Sequence, residues 1–548
     1  MRPTGDVTNQ VTWSAKTVAE IAPKIFPGWC PEGSLNSKET NTIRRKTPEL
    51  DRSDVVVAVL LFAAALVLRV PFRSQMAYHW DSAQFVLAIK EYDMRLSQPH
   101  APGYFLYEML GRLVNHFVGD PHASLVWISV VFGSGLPAIV YLLATAMFGR
   151  WAGATAGLVA LTSPQVWFHS CVALTYVVES FLVCVVVLIL WQAMKRGGRW
   201  RDAVAVGGLL ALIGGVRPQS VPALAPLVVF AFWRFETARA AKLAVAAAVA
   251  VGLGIVWFVP MVQTSGGLRM YMEITRLHVA CNAGSTFLGG GWNALLKNVA
   301  NVTGFCWNGL VLGALVLVGS LLYRAFRMTA EQKGVWHSQH APELAVLAIW
   351  IVPMMVLGTL IGFTKQPGYV LSYLPGWFVL IGAVVASLKG RCQRAGTISV
   401  VCAINVMAFA AWPPRWDGVF VGMGRTAREI AEHDAQLSRL VATVRRSYSP
   451  KEVTICYADE FYLYGLRHFQ LYLPEYEQYQ LIADGTTPHP PGKPMWRVRD
   501  GQLEFVDRLD LDRDDRIVLL VPPQEEVEIF ARYFSPGRLK ALTPRVVR

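Results

Sequence analysis

Only 16% of the 548 residues are charged, against roughly 25% in an ordinary soluble protein, while 53% are apolar. A chain so poor in charge cannot dress the surface of a soluble enzyme of this length. Eight cysteines are present, but no pair is spaced Cys-x-x-Cys and no His/Cys set has ligand spacing, which argues against structural zinc. The sequence has no Gly-x-x-x-x-Gly-Lys loop and no Gly-x-Gly-x-x-Gly opening a helix after a strand. ATP or NAD chemistry is therefore unsupported, and no cofactor is required by what the sequence shows. Internal repeats and long low-complexity tracts are also missing. A net charge of +13 would point to nucleic acid only if the basic residues clustered on one folded surface. They lie mostly between apolar runs instead, so no nucleic-acid partner is expected.

What the chain does have is recurrent apolar runs of about 17–23 residues, the length a helix needs to cross a hydrocarbon core of roughly 30 Å. Spans are predicted near 54–72, 123–148, 152–168, 175–194, 203–216, 219–234, 243–262, 305–323, 343–363, 368–388 and 396–412. Residues 1–53 are polar, with Lys38, Arg44, Arg45, Lys46 and Arg52, and read as a disordered cytoplasmic tail rather than a cleavable signal. With the amino terminus inside, every multi-basic loop falls on one side: Lys195 to Arg201, Arg234 to Lys242, Arg324 to Lys333, and Lys389 to Arg394. The predicted fold is an all-α polytopic membrane protein of about eleven transmembrane helices, residues 54–412, followed by a small C-terminal α/β extracytoplasmic domain, 413–548.

Three predicted outer segments are long enough for chemistry: 73–122, 263–304 and the tail. In the first, Phe85, Ile89, Tyr92 and Leu96 recur at helical spacing, and so do Leu106, Met109, Leu110, Leu113 and Phe117. These stripes predict two amphipathic helices along the membrane surface, parted by the turn His100-Ala101-Pro102-Gly103-Tyr104. In the tail, Thr426-x-x-Glu429 predicts a capping box. Val453–Ala458 and Ile517–Val521 predict strands, and Asp500-Gly501 a hairpin.

Candidate site residues gather at the predicted outer edge. Asp81, in Tyr78-His79-Trp80-Asp81-Ser82-Ala83-Gln84-Phe85, is either an N-cap or a poorly solvated carboxylate able to take a proton from an acceptor. Arg217, in Gly214-Gly215-Val216-Arg217-Pro218-Gln219, and Lys365, in Thr364-Lys365-Gln366-Pro367-Gly368-Tyr369, are phosphate-binding candidates or snorkelling cations. Glu179 lies within a span close to its outer end, and either lines the active cavity, as a second catalytic candidate beside Asp81, or makes a structural hydrogen bond. His79 and His100 stand on either side of Asp81 in sequence as acceptor contacts or metal ligands; a divalent metal is possible but unsupported. Tyr104 and Tyr369 close the two turns and are candidate substrate contacts. Glu273, Arg276 and His278, before Gly289-Gly290-Gly291, form either a gate or a plain surface loop. Cys281 and Cys306 are possible disulfide partners, and the acidic run from Asp507 to Asp515 is a cation site or a solvated loop.

A single span, an outer Asp opening a surface helix, a His-x-Pro-Gly-Tyr turn and then many spans resemble the GT-C superfamily of membrane glycosyltransferases. The nearest likeness is the protein O-mannosyltransferase and aminoarabinose-transferase-like branch, over residues 54–412. Many members have Asp-Glu where this chain has Asp81-Ser82, and two prolines where it has Ala101-Pro102. The resemblance implies transfer of a sugar from a polyprenyl-phosphate donor to an extracytoplasmic protein, lipid or glycan acceptor, with inversion. It further implies Asp81 as base and basic residues at the outer ends of spans as phosphate ligands. The rival reading is a lipid-linked sugar flippase or transporter, though the polar residues gather at one edge and the chain shows no two-half symmetry. A third is a scaffold without chemistry. The expected address is the bacterial inner membrane.

Overall fold

The computed structural model describes residues 49–327, 329–361, 366–410, 426–458, 465–481, 495–507 and 516–520. The helices, in chain order, are α1 Arg52–Arg69, α2 Trp80–Lys90, α3 Phe105–Val118, α4 Pro121–Phe148, α5 Arg150–Thr162, α6 Pro164–His169, α7 Tyr176–Lys195, α8 Trp200–Val216, α9 Ser220–Trp233 and α10 Arg239–Thr264. They continue with α11 Leu268–Asn282, α12 Phe287–Leu310, α13 Leu312–Arg327, α14 Ala330–Ile361, α15 Leu374–Ala386, α16 Arg391–Ala410, α17 Ala427–Ser447 and α18 Leu466–Tyr472.

Six segments are long and apolar enough to cross a membrane: Arg52–Phe72, Pro121–Phe148, Tyr176–Lys195, Arg239–Thr264, His340–Ile361 and Arg391–Ala410. The protein is an integral membrane protein with several spans. The other five apolar runs differ from simple crossings. The run 305–323 falls across α12 and α13, which are bent by 101° where Val311 takes φ 46°. The run 152–168 is broken by Ser163-Pro164 into α5 and α6, because proline lacks the N–H that would continue the ladder. The remaining three correspond to α8, α9 and α15, of 17, 14 and 13 residues, short against the roughly 20 a full crossing needs.

A helix break inside an apolar bundle must have its polar groups satisfied internally. Here Ser163 donates to the Gly309 carbonyl at 2.7 Å, Gln165 Nε2 to the Pro367 carbonyl at 2.6 Å, and Asn308 Nδ2 to Gln165 Oε1 at 2.9 Å. The break thereby ties α6, α12 and the turn at 366–373 together. At one end of the bundle, Arg150 pairs with Asp54 at 2.9 Å and Arg196 with Asp202 at 2.6 Å. At the other end lie the segment 73–120 and the turns joining α6 to α7, α8 to α9, and α10 to α11; this is the site face.

The C-terminal sheet has the order β4-β3-β2-β1-β5, from Val453–Ala458, Glu477–Leu481, Met495–Arg499, Gln502–Val506 and Arg516–Leu520 in chain order. β1 runs parallel to β2 and β5, and β2, β3 and β4 are antiparallel. The Thr426–Glu429 capping box opens α17 as the sequence predicts, and Asp500-Gly501 turns the β3–β4 hairpin with positive φ at both residues. The core formed by Leu437, Val441, Leu466, Phe469 and Trp496 continues onto Met76, Trp80 and Leu96 of the first long loop. Residues 1–48, most of the acidic run and Lys365 lie outside the described residues.

Candidate functional site

The segment 73–104 folds back on itself over the site face. Helix α2 is capped by His79, not by Asp81: His79 Nδ1 accepts the Asp81 N–H at 3.1 Å. With that donor served by the histidine, the Asp81 carboxylate in the first turn has no capping duty. The amphipathic reading of 85–96 extends too far, since α2 ends at Lys90, whereas 105–117 is helical as expected in α3.

Asp81 is bracketed by two imidazoles, His79 Nδ1 at 3.7 Å from Oδ2 and His100 Nδ1 at 3.9 Å from Oδ1, with about a fifth of its side chain open to solvent (21%). His79 is in turn fixed by Gln366, whose amide lies 2.7 Å from Nε2. His100 reaches Gln84 Oε1 at 2.6 Å through Nδ1 and the Tyr104 hydroxyl at 3.0 Å through Nε2. Because a glutamine oxygen can only accept, Nδ1 carries the proton and the tyrosine donates to Nε2. His278 from α11 stacks on His100 with 5.5 Å between ring centroids. Burial, together with the positive charges of Arg217 and Arg467, pushes His100 down to about 3; burial and His100 push His278 down to about 4 against the pull of Asp81. Both rings are neutral near pH 7, so the His100–His278 side of Asp81 carries no fixed positive charge.

The turn that carries His100 depends on a glycine. Gly103 has φ 107°, and a Cβ there would come within 2.8 Å of Met94 Sδ and the Tyr92 hydroxyl, which already donates to the Gly103 carbonyl. Tyr104 follows with φ 46° and starts α3 with its ring directed at Phe85 and His100.

Behind these rings lies a buried charge pair. Arg217, at the end of α8, has Nε 2.8 Å from Glu179 Oε2, and both side chains are buried. The N–H is not aimed at that oxygen, which has no hydrogen bond, so charge rather than directed bonding holds this contact. Glu179 Oε1 accepts from Ser220, and Arg217 Nη1 donates to Thr175 at 2.9 Å. With its amide oxygen assigned toward the guanidinium, Gln219 accepts from Arg217 Nη2 at 2.9 Å. The guanidinium is clasped between Tyr176 at 4.4 Å and Tyr369 at 4.6 Å, with Tyr104 at 6.0 Å. Gly368 permits the clasp, since a Cβ there would meet the Tyr176 ring at 2.2 Å. Tyr104 and Tyr369 each feel the charges of Asp81, Arg217 and Glu179 together, which puts a tyrosine layer within reach of both the carboxylate and the cation.

The structure thus brings Asp81, His79, His100, Tyr104, Arg217, Glu179 and Tyr369 to one face. Gln84, Gln366, Thr175, Tyr176, Gln219 and Ser220 complete it and were not singled out in the sequence; His278, expected in a gate or a plain surface loop, lies in helix α11. Among the described residues, no three His, Cys, Asp or Glu side chains are grouped to hold a metal ion. Cys281 and Cys306 are free thiols rather than a disulfide.

No protein-family model and no curated protein matches the sequence. Solved structures do. ArnT from Cupriavidus metallidurans bound to undecaprenyl phosphate superposes with a TM-score of 0.50 at 14% identity, covering 77% of this chain and 84% of that one. The Archaeoglobus fulgidus oligosaccharyltransferase tethered with an acceptor peptide gives a TM-score of 0.46 at 12% identity, over 79% of this chain and 64% of that one. At such identities the likeness is one of architecture: the chain has a fold similar to that of ArnT.

Proposed function

We propose that the protein is a membrane glycosyltransferase that moves a sugar from a polyprenyl-phosphate donor to an extracytoplasmic acceptor, with Asp81 as the base. The observation that carries this is the state of Asp81. It is a carboxylate relieved of helix capping, held between the imidazole of His79 and the neutral ring of His100, partly open, and close to a tyrosine-lined cation. The fold shared with a protein crystallised with undecaprenyl phosphate supports a lipid-borne donor.

In this reading Asp81 accepts the proton of the acceptor hydroxyl or amine as its oxygen or nitrogen bonds to the anomeric carbon. The bond from that carbon to the phosphate oxygen breaks, and its electron pair leaves on the lipid phosphate, with inversion at the sugar. Arg217 supplies positive potential toward the departing phosphate through the tyrosine layer, and Lys365, beside Gln366, is proposed as its second cation. Glu179 positions Arg217 rather than acting as a second base, because its carboxylate is occupied by Arg217 and Ser220. His79, His100, Tyr104 and Tyr369 line the sugar site. The short helices α8, α9 and α15 and the broken α5–α6 are proposed to complete about eleven crossings, in a bacterial inner membrane with the amino terminus cytoplasmic and the site face outward.

The test is transfer or hydrolysis from a panel of radiolabelled polyprenyl-phosphate sugars by the purified protein. Asp81→Asn should lose about 10²–10⁴-fold in turnover while still binding the donor. Equal turnover in both proteins would remove Asp81 as base. Translocation of donor without any bond cleavage would favour a flippase.

A further inference from the structure

The C-terminal domain reaches the site through the main chain that leads into α2. Residues Gln75, Met76 and Ala77 belong to neither helix nor sheet, yet three successive N–H groups there are all bound by side chains of the C-terminal domain. Gln75 donates to Asp434 Oδ2 at 2.6 Å, Met76 to Asp434 Oδ1 at 3.0 Å, and Ala77 to the Tyr472 hydroxyl at 2.7 Å. One carboxylate therefore takes two neighbouring amides and one phenol takes the third. Rings close over this row: Tyr78 packs against His433 at 4.7 Å and Phe168 at 5.0 Å, and Trp80 faces Trp496 at 6.2 Å. Farther along the loop, Arg467 donates to the Leu96 carbonyl.

We propose that Asp434 and Tyr472 are positioning residues for Asp81, fixing the segment 75–77 so that His79 and Asp81 enter α2 in one place. This rests on the reading of Asp81 as base. The physical reason is the short lever arm: Asp81 follows the last anchored amide by four residues, and His79, which binds the Asp81 N–H, follows it by two. Misplacing a reacting group by about 1 Å can cost roughly 10²-fold in rate. A carboxylate can grip two parallel N–H groups, whereas an asparagine there offers a single acceptor oxygen. The row lies outside the residues proposed to line the sugar site, so loosening it should lower turnover and leave donor affinity alone.

Two readouts on the full-length protein in detergent test this. In Asp434→Asn and Tyr472→Phe, hydrogen exchange at the amides of 75–77 should quicken by about tenfold, in Tyr472→Phe at Ala77 alone. For both, kcat per donor-binding site, with sites counted by titration, should fall by about tenfold with donor KM unchanged within about twofold; general destabilisation removes sites and leaves the rate at each remaining site unchanged. Glu432→Gln, an exposed change on the same helix, should alter neither readout. Wild-type exchange rates at 75–77 in both variants would overturn the latch. Faster exchange with wild-type kcat would overturn its role in positioning Asp81. A wild type inert toward every donor would instead overturn the proposed function, and the exchange rates would then decide by themselves whether the latch exists.

Discussion

His100 owes its working state to its surroundings. Its ring is held neutral by burial and by Arg217 and Arg467, and down to about 3 it refuses a proton that an unfolded histidine binds near pH ~6.5. Between those values the unfolded chain carries one more proton than the folded loop, so stability rises with pH and is lost as pH falls from about 6.5. At pH 5 the loss amounts to about 2 kcal/mol for this group. The thermal midpoint should therefore drop between pH 7.5 and pH 5, and His100→Gln, which does not titrate, should flatten that slope; an unchanged slope would assign the effect elsewhere. At this scale the sequence showed Asp81, Glu179, Arg217, Tyr104 and Tyr369 but neither Tyr176 nor the amide partners of the site. Gln84 and Gln366 sit in stretches with no periodic signal, and which histidine caps α2 depends on backbone angles that no spacing encodes.

Among the elements, the join of α7, α8 and α9 is the one most exposed to damage. Glu179, Arg217 and Ser220 come from these three helix ends, and each charge is buried beside the other. Removing one partner strands the other, which typically costs about 3–5 kcal/mol, while replacing both by apolar residues of similar size is often nearly neutral. Glu179→Leu alone should thus lower the thermal midpoint strongly, and Glu179→Leu with Arg217→Met should restore most of it without restoring transfer. A double variant that stays as unstable as the single one would show that the pair does more than balance charge. Long apolar runs bounded by basic loops made the six full spans legible. The broken run at Ser163-Pro164 and the bend at Val311 were read as plain spans, because hydropathy counts apolar residues and is blind to the Gln165–Asn308–Pro367 network that makes a break affordable.

For the whole molecule, the separation of a basic end from the site face carries a topological consequence. Lys90, at the site face, and Arg201, at the basic end, are both exposed. In a cysteine-free background, Lys90→Cys should react with a membrane-impermeant thiol reagent on intact cells, and Arg201→Cys only after permeabilisation. The reverse pattern would turn the proposed orientation over. The latch at residues 75–77 also has a bearing on how the protein is made. The amides that steady the Asp81 loop wait for partners 358 to 395 residues further along the chain. At a synthesis rate of about 5–20 residues per second, Tyr472 leaves the ribosome roughly 20–80 s after Asp81. A nascent chain already threaded into the lipid would hold its carboxylate on a slack loop throughout that interval. With the latch as proposed, the Asp81 loop is fixed only once α18 has been made, and a ribosome that stalls before α18 leaves behind an inserted but unready protein.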